Sequence, residues 1–335
     1  MAHPNATSDL TSGPVAASDG IWRIPLPTPF PVGAVNVYLI EDDPLTLIDT
    51  GQRDAPARTA LERGLAQLGH RVEDLQRIVL SHQHVDHWGL GAELARRSGA
   101  ELYALTAFAD WLSRVPGSIE DESRYMRDTV IRHGGTAGGA RFENDAPYGE
   151  PPATVRPLRD GDELSFARRS LTVLHRPGHS AWDTALLDER RGVLLGADLL
   201  MQRPSTPVLA PPPGGGPADR RPRALARQIE SLGSLESLDL SAVLPGHGPV
   251  LTEHRTVLAG HLDRYARMIE SVHDALGSEP RTGIEIARVT RGEIADRAPF
   301  FALCDVLGCL DILIDAGIAL ETRTNTVNGF HSLRA

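Results

Sequence analysis

The chain has 335 residues, 41% of them hydrophobic and 23% charged, the proportions of an ordinary globular protein with room for a large domain and a smaller one. Its formal net charge of -10 argues against a protein whose main partner is a phosphate backbone, and no apolar run approaches the roughly 20 residues of a membrane-spanning helix. All 34 basic residues are arginine, which excludes lysine nucleophiles and Schiff bases.

In chain order, residues 1–20 are mostly small and lack the basic start and apolar stretch of a secretion signal. They are expected to form a disordered leader on a cytoplasmic protein. Strands are expected at 21–26, 35–41 and 45–49, runs of Val, Ile, Leu and Tyr broken by Pro, Gly and Asp. Ala57, Leu61, Leu65 and Leu68 then recur at helical spacing, with Asp54 placed to cap the start and Gly69 to end the run. A strand at 77–80 leads through a polar turn to a helix at 92–97 and a short strand near 101–104. The stretch 107–157 carries helical segments at 108–114 and 120–133, then Gly- and Pro-rich chain; a second series of strands follows at 171–175, 184–188 and 193–196. Residues 201–223, with Pro204, Pro207, Pro211 to Pro213 and Gly214 to Gly216, read either as a wall of the substrate pocket or as a linker. From Thr256 the pattern turns helical at 257–276, 283–289 and 300–316, and ends in a hairpin of 318–323 with 327–333. Cys304 and Cys309 lie in the third of these helices, spaced for neither a zinc knuckle nor a redox pair, and read as buried free thiols.

The chemistry is concentrated in the turn Ser-His-Gln-His-Val-Asp-His that follows the strand at 77–80. His82, His84, Asp86 and His87 combine imidazoles with a hard carboxylate oxygen, a mixture suited to zinc or a similar divalent ion. Alternation along an extended segment sends His82 and His84 to one side, while Asp86 and His87 sit where the chain turns helical and can reach a second ion. A His-rich surface turn is the plain alternative. Against it stand His179, Asp198 and His247, each at the end of an apolar run and beside or close to glycine, where loops carry binding residues.

The pattern H-x-H-x-D-H followed by a distant His, Asp and His resembles the metallo-beta-lactamase superfamily at all seven ligand positions. The resemblance implies that His82, His84 and His179 hold one metal ion, that Asp86, His87 and His247 hold a second, and that Asp198 bridges them. It further implies an α+β fold, a four-layer αββα sandwich with the metals at one edge. Asp49, in the run Leu45 to Gly51, matches a motif whose aspartate supports the ligands without touching metal. Two divalent ions, zinc by preference, roughly 3.5 to 4 Å apart would lower the pKa of a bridging water and supply a hydroxide, with Asp86 orienting it and relaying a proton. The eight other histidines match no motif; among them His133 stands out for its place in the 107–157 stretch and His175 for its nearness to His179.

The last section resembles the small winged-helix-like domain of one superfamily branch, which includes an endoribonuclease and thioesterases. The expected layout is a leader over 1–20, a catalytic domain over 21–255 and the winged-helix-like domain over 256–335. Charge separates the branch's two chemistries. From Thr256 onward there are 8 Arg against 11 Asp plus Glu, and Asp305, Asp311 and Asp315 occupy the helix where a nucleic-acid reader would place arginine. The expected substrate is therefore a small acyl thioester, ester or lactone, with cleavage of single-stranded RNA as the alternative and non-catalytic metal binding as a second. The last section is expected to pack, to dimerise into a homodimer or to close the pocket, with neither nucleic acid nor membrane as partner. Arg220, Arg221, Arg223 and Arg227 keep an anionic ligand open. Trp88 is bulky for its position and Leu90 replaces a frequent glycine, which bears on pocket shape.

Overall fold

The computed structural model describes residues 13–136, 148–209, 221–324 and 326–333. One seven-stranded sheet runs in sequence order through β1 (Val15–Ser18), β2 (Ile21–Leu26), β3 (Val35–Ile40), β4 (Thr46–Ile48), β5 (Arg77–Leu80), β6 (Glu101–Leu105) and β7 (Arg156–Leu158). It is antiparallel as far as β4 and parallel from there to β7. The second sheet contains β8 (Glu163–Ser165), β9 (Ser170–His175), β10 (Thr184–Asp188), β11 (Val193–Ala197) and β12 (Ala242–Pro245), ordered β12-β11-β10-β9-β8. Only its β11–β12 pair is parallel.

Parallel neighbours need crossovers, and helices supply them. The crossover from β4 to β5 contains α1 (Ala55–Gln67), which starts where Asp54 accepts the Ala57 N–H and is followed by Gly69 at φ +83°, as its capping residues predict. The β5–β6 crossover holds α2 (Val85–Trp88) and α3 (Gly91–Ser98), the β6–β7 crossover α4 (Thr106–Ser113) and α5 (Gly117–Arg132), and the β11–β12 crossover α6 (Ala224–Ser234).

Strand alternation builds the layers. In β5, Val79 faces the second sheet while Ile78 and Leu80 face α1 and α3; in β10, Leu186 faces the first sheet while Ala185 and Leu187 face outward. One core, with Ile40, Ile48, Val79, Val173, Leu186, Leu195 and Leu244, fills the space between the sheets, and each outer face is covered by helices. This is the four-layer αββα sandwich that the motifs imply.

The last section comprises α7 (His254–Asp274), α8 (Gly283–Arg291), α9 (Ile294–Arg297), α10 (Pro299–Asp315) and a small sheet ordered β13-β15-β14, from β13 (Arg281–Thr282), β14 (Ala319–Thr324) and β15 (Val327–Ser332). Leu258, Leu303, Leu307 and Leu310 share one apolar core with Leu187, Leu194, Leu225 and Val243, so these helices form the outer layer of the second sheet. Cys304 and Cys309 are buried free thiols within it.

Several details differ from expectation. Residues 15–18 form a strand on the edge of the first sheet where a disordered leader is expected; residues 1–12 lie outside the described residues. α7 opens at His254, ahead of the expected boundary at 256, and β13 adds a third strand to the hairpin. The Gly-rich part of the 107–157 stretch at 137–147, the run 210–220 and Asn325 in the hairpin turn also lie outside the described residues. Among those described, no helix is long and apolar enough to cross a membrane.

Candidate metal centre

The ligand residues emerge at one edge of the sandwich. His82 and His84 follow β5, Asp86 and His87 lie in the single turn of α2, His179 follows β9, Asp198 follows β11 and His247 follows β12. Two clusters result, one of His82, His84, His179 and Asp198 and one of Asp86, His87 and His247; in each, one potential ligand atom per residue lies within 4.8 Å of the others. All seven residues predicted as ligands are brought together, Asp198 falling with His82, His84 and His179. Asp198 stands between the clusters, one carboxylate oxygen 3.3 Å from His179 Nε2 and the other 3.5 Å from His87 Nε2.

Hydrogen bonding on the outer ring nitrogens assigns the tautomers. His179 Nδ1 faces the Thr206 carbonyl at 3.2 Å and His247 Nδ1 faces the Ala34 carbonyl at 2.9 Å. Asp49 accepts from the Ser81 N–H, the Ser81 hydroxyl and His87 Nδ1, each at 2.8 Å. Having donated, the Ser81 oxygen accepts from His82 Nδ1 at 2.9 Å. Lone pairs on His82 Nε2 and His179 Nε2 thus both point at His84 Nδ1, 2.9 and 2.8 Å away. A single N–H at His84 can serve only one of them. In the second cluster the lone pair of His247 Nε2 faces an Asp86 carboxylate oxygen at 3.4 Å, and the buried His87 Nε2 and Asp198 Oδ1 have no hydrogen-bond partner. Lone pairs and carboxylates facing one another in a buried site are satisfied by cations, so the residues present fit divalent metal ions.

The electrostatics divide the histidines, with the charged form disfavoured at His82 and His84 and favoured at His87 and His247. Burial, reinforced by neighbouring histidines, holds His82 well below the usual histidine range; burial and the nearby His179 bring His84 down to about 3. Burial opposes the charge of the Asp86 carboxylate, but His87, His247 and His84 prevail and hold its pKa well below the ordinary range. Asp198 is lowered in the same way, against burial, by His247, His87 and His179. His87 goes the other way, to about 10: burial disfavours its charge but Asp198, Asp49 and Asp86 outweigh it.

Local backbone geometry makes room for this packing. At Gly246 a Cβ would sit 2.2 Å from Asp198 Oδ1 and 2.8 Å from His87 Cε1, so only glycine fits beside His247. Among the described residues, Asp49 at φ +58° and Ala197 at φ +42° are the non-glycine residues in the left-handed region, one beside the ligands and the other preceding Asp198. Such conformations cost about 1–3 kcal/mol and persist where the surroundings over-determine them.

Some expectations are corrected here. Trp88 is buried, donates to the Gln83 carbonyl at 2.7 Å and meets Trp111 edge-on, while Leu90 is fully buried in the core. Arg221 is paired with Asp311 and Glu321, and Arg223 with Asp311 and Asp315; Arg227 is exposed, and Arg220 lies outside the described residues. His133 stacks on Phe330 and His175 Nε2 faces the Ala181 carbonyl, both apart from the clusters. Sequence reading missed Ser81, whose signal is its place directly before His82, and the carbonyls of Ala34 and Thr206, which carry none.

The model of the metallo-beta-lactamase superfamily matches residues 30–247. A Bacillus subtilis (strain 168) protein named "Probable metallo-hydrolase YqjP" is 29% identical over 307 residues, covering 88% of this chain and 92% of that protein. Among solved structures, the metallo-beta-lactamase family protein TTHA1429 of Thermus thermophilus superposes with a TM-score of 0.75 at 26% identity, covering 93% of this chain and 98% of that one. A beta-lactamase domain protein of Burkholderia ambifaria gives 0.76 at 24% identity, covering 96% and 97%. With two ligand clusters at the edge of an αββα sandwich and a family match across most of that sandwich, the chain belongs to the metallo-beta-lactamase superfamily.

Proposed function

We propose that the chain is a hydrolase working with two divalent metal ions, zinc by preference, on a small acyl thioester, ester or lactone. The observation that carries the reading is the convergence of two buried clusters on Asp198, with ring nitrogens whose hydrogen bonds cannot all be satisfied by one another. Such ions, when bound, lower the pKa of a water and polarise a scissile carbonyl. His82, His84 and His179 would hold one, Asp86, His87 and His247 the other, and Asp198 both. Asp86, kept ionised by the surrounding histidines, is the carboxylate that would orient the attacking water and relay a proton. The name of the Bacillus subtilis relative supports the hydrolase reading.

Preference for an acyl substrate over RNA rests on charge. Arg221 and Arg223 are spent on acidic partners within the chain, and a strand of phosphates needs a cationic track. Elemental analysis under metal-replete conditions should find two ions per chain, with binding weakening in acid as imidazoles protonate. In a screen of acyl thioesters, lactones and single-stranded RNA, acyl hydrolysis is expected. Asp86→Ala should lower kcat at least about a hundredfold with the fold intact. Uptake of at most one ion, or undiminished turnover in a metallated Asp86→Ala protein, would refute the respective assignment. RNA cleavage abolished by His82→Ala, with every acyl substrate inert, would favour the nuclease.

A further inference from the structure

We infer that Gln228 and Tyr265, both outside the ligand set, are positioning residues that fix the separation of His179 and Asp198; the inference rests on the metal-dependent reading above. These two ligands come from different loops of the second sheet, on either side of β10. α6 lies across both loops. Gln228, fully buried, donates from Nε2 to the carbonyl of Leu199, the neighbour of Asp198, at 3.1 Å. The same side chain presses on Gly178, the neighbour of His179: a Cβ there would lie 2.2 Å from Gln228 Oε1 and 2.5 Å from its Cα. One turn further along, Ser231 Oγ donates to the Pro177 carbonyl at 2.8 Å. One helix face thus gauges both loops.

The second contact comes from α7. Tyr265, only 2% exposed, donates to the Ser205 carbonyl at 3.3 Å, and Ser205 Oγ donates to the Asp198 carbonyl at 3.2 Å. The next residue, Thr206, supplies the carbonyl that faces His179 Nδ1, and the Val208 N–H donates to the His179 carbonyl at 3.0 Å. Residues 199–209 therefore bind Asp198 at one end and His179 along their length, and they are pinned from outside by α6, α7 and, through Leu209 N and Cys304 Sγ at 3.5 Å, α10. Leucine and phenylalanine would fill the volumes of Gln228 and Tyr265 without the cost of burying polar atoms. Polar groups kept there at that cost are explained by what they hold in place. The helices of the last section thereby acquire a task at the metal site.

Partners that orient metal ligands typically contribute ten- to a hundredfold in metal affinity. The test uses the full chain with Gln228→Leu and Tyr265→Phe, titrated with Co²⁺ and followed by visible absorption, alongside far-UV circular dichroism and melting of the apoprotein. Native secondary structure is expected in both variants, with Co²⁺ bound about ten- to a hundredfold more weakly and an altered absorption spectrum. Wild-type affinity and spectrum in both variants, when the wild type takes up two Co²⁺, would overturn the positioning role and leave the metal reading standing. A wild type that takes up no Co²⁺ would overturn the metal reading, and this inference with it. Should Gln228→Leu fail to fold, Tyr265→Phe and Ser205→Ala carry the same comparison.

Discussion

At the scale of single residues, Asp49 shows how one carboxylate organises both clusters. It fixes His87 directly and His82 through the Ser81 hydroxyl, so its acceptor character sets which nitrogen of each ring faces inward. Asp49→Asn keeps the size but brings an amide N–H against donors. The relief open to His87 is to exchange tautomers, which places a hydrogen on the Nε2 that should face the ion. We expect the Asp49→Asn protein to fold but to retain fewer than two ions per chain after dialysis, measured by elemental analysis beside a wild type that retains two. Retention of both by the variant would show that Asp49 does not control the tautomer. The ligand types were legible in the sequence because His and Asp at strand ends carry their chemistry in their names. The outer acceptors on Ala34 and Thr206 were not, because a backbone carbonyl looks the same at every position.

At the scale of elements, the strands that build the two sheets could be read from alternation and turn residues, since burial of one face or both leaves a trace in composition. The strands that escaped, β1, β7, β8, β12 and β13, are two to four residues long, too short for a period to appear; the 11-residue helix α6 was missed as well, following directly on the Pro- and Gly-rich run. α5 was legible as a helix but not for what it buries. The Oε1 atom of Glu122 is buried without a hydrogen-bond partner although the side chain as a whole is only half-buried. Burial pushes this carboxyl up to about 8, with Trp111 pulling weakly the other way. Between its ordinary 4.5 and about 8 the folded chain holds a proton that the unfolded chain has lost, so this group makes stability fall as pH rises through that window and level off above it. Glu122→Gln removes the dependence. The melting temperature of the variant should gain on the wild type between pH 5 and about 8.5, a window set by the linkage, and parallel profiles for the two proteins would refute the assignment.

At the scale of the molecule, charge is spent on holding distant parts of the chain together. The acidic residues of α10 suggested from sequence a helix unsuited to nucleic acid, but two of the three do not lie on a solvated face. Asp311 and Asp305 are buried, the first against Arg221 at 2.7 Å and the second against Arg291 at 2.6 Å. The Arg221 partner lies 90 residues away in the chain, a distance over which sequence spacing carries no information. Glu321 on β14 accepts two further bonds from the same guanidinium, each 2.8 Å, so Arg221 ties the segment after the 201–209 loop to both α10 and the terminal sheet. Removing one member of a buried ionic group strands the others. Burial already pushes the Asp311 carboxyl up against the pull of Arg221, and without the guanidinium it would be left uncompensated. Arg221→Ala should therefore destabilise the fold by about 3–5 kcal/mol, read as a shift of the urea midpoint without a change in slope. Below the transition, acyl hydrolysis per folded molecule should survive, and neither wild type nor variant should bind single-stranded RNA at physiological salt. An Arg221→Ala protein as stable as the wild type but with weaker affinity for RNA would mean that this arginine serves a ligand, and the nuclease reading would then lead.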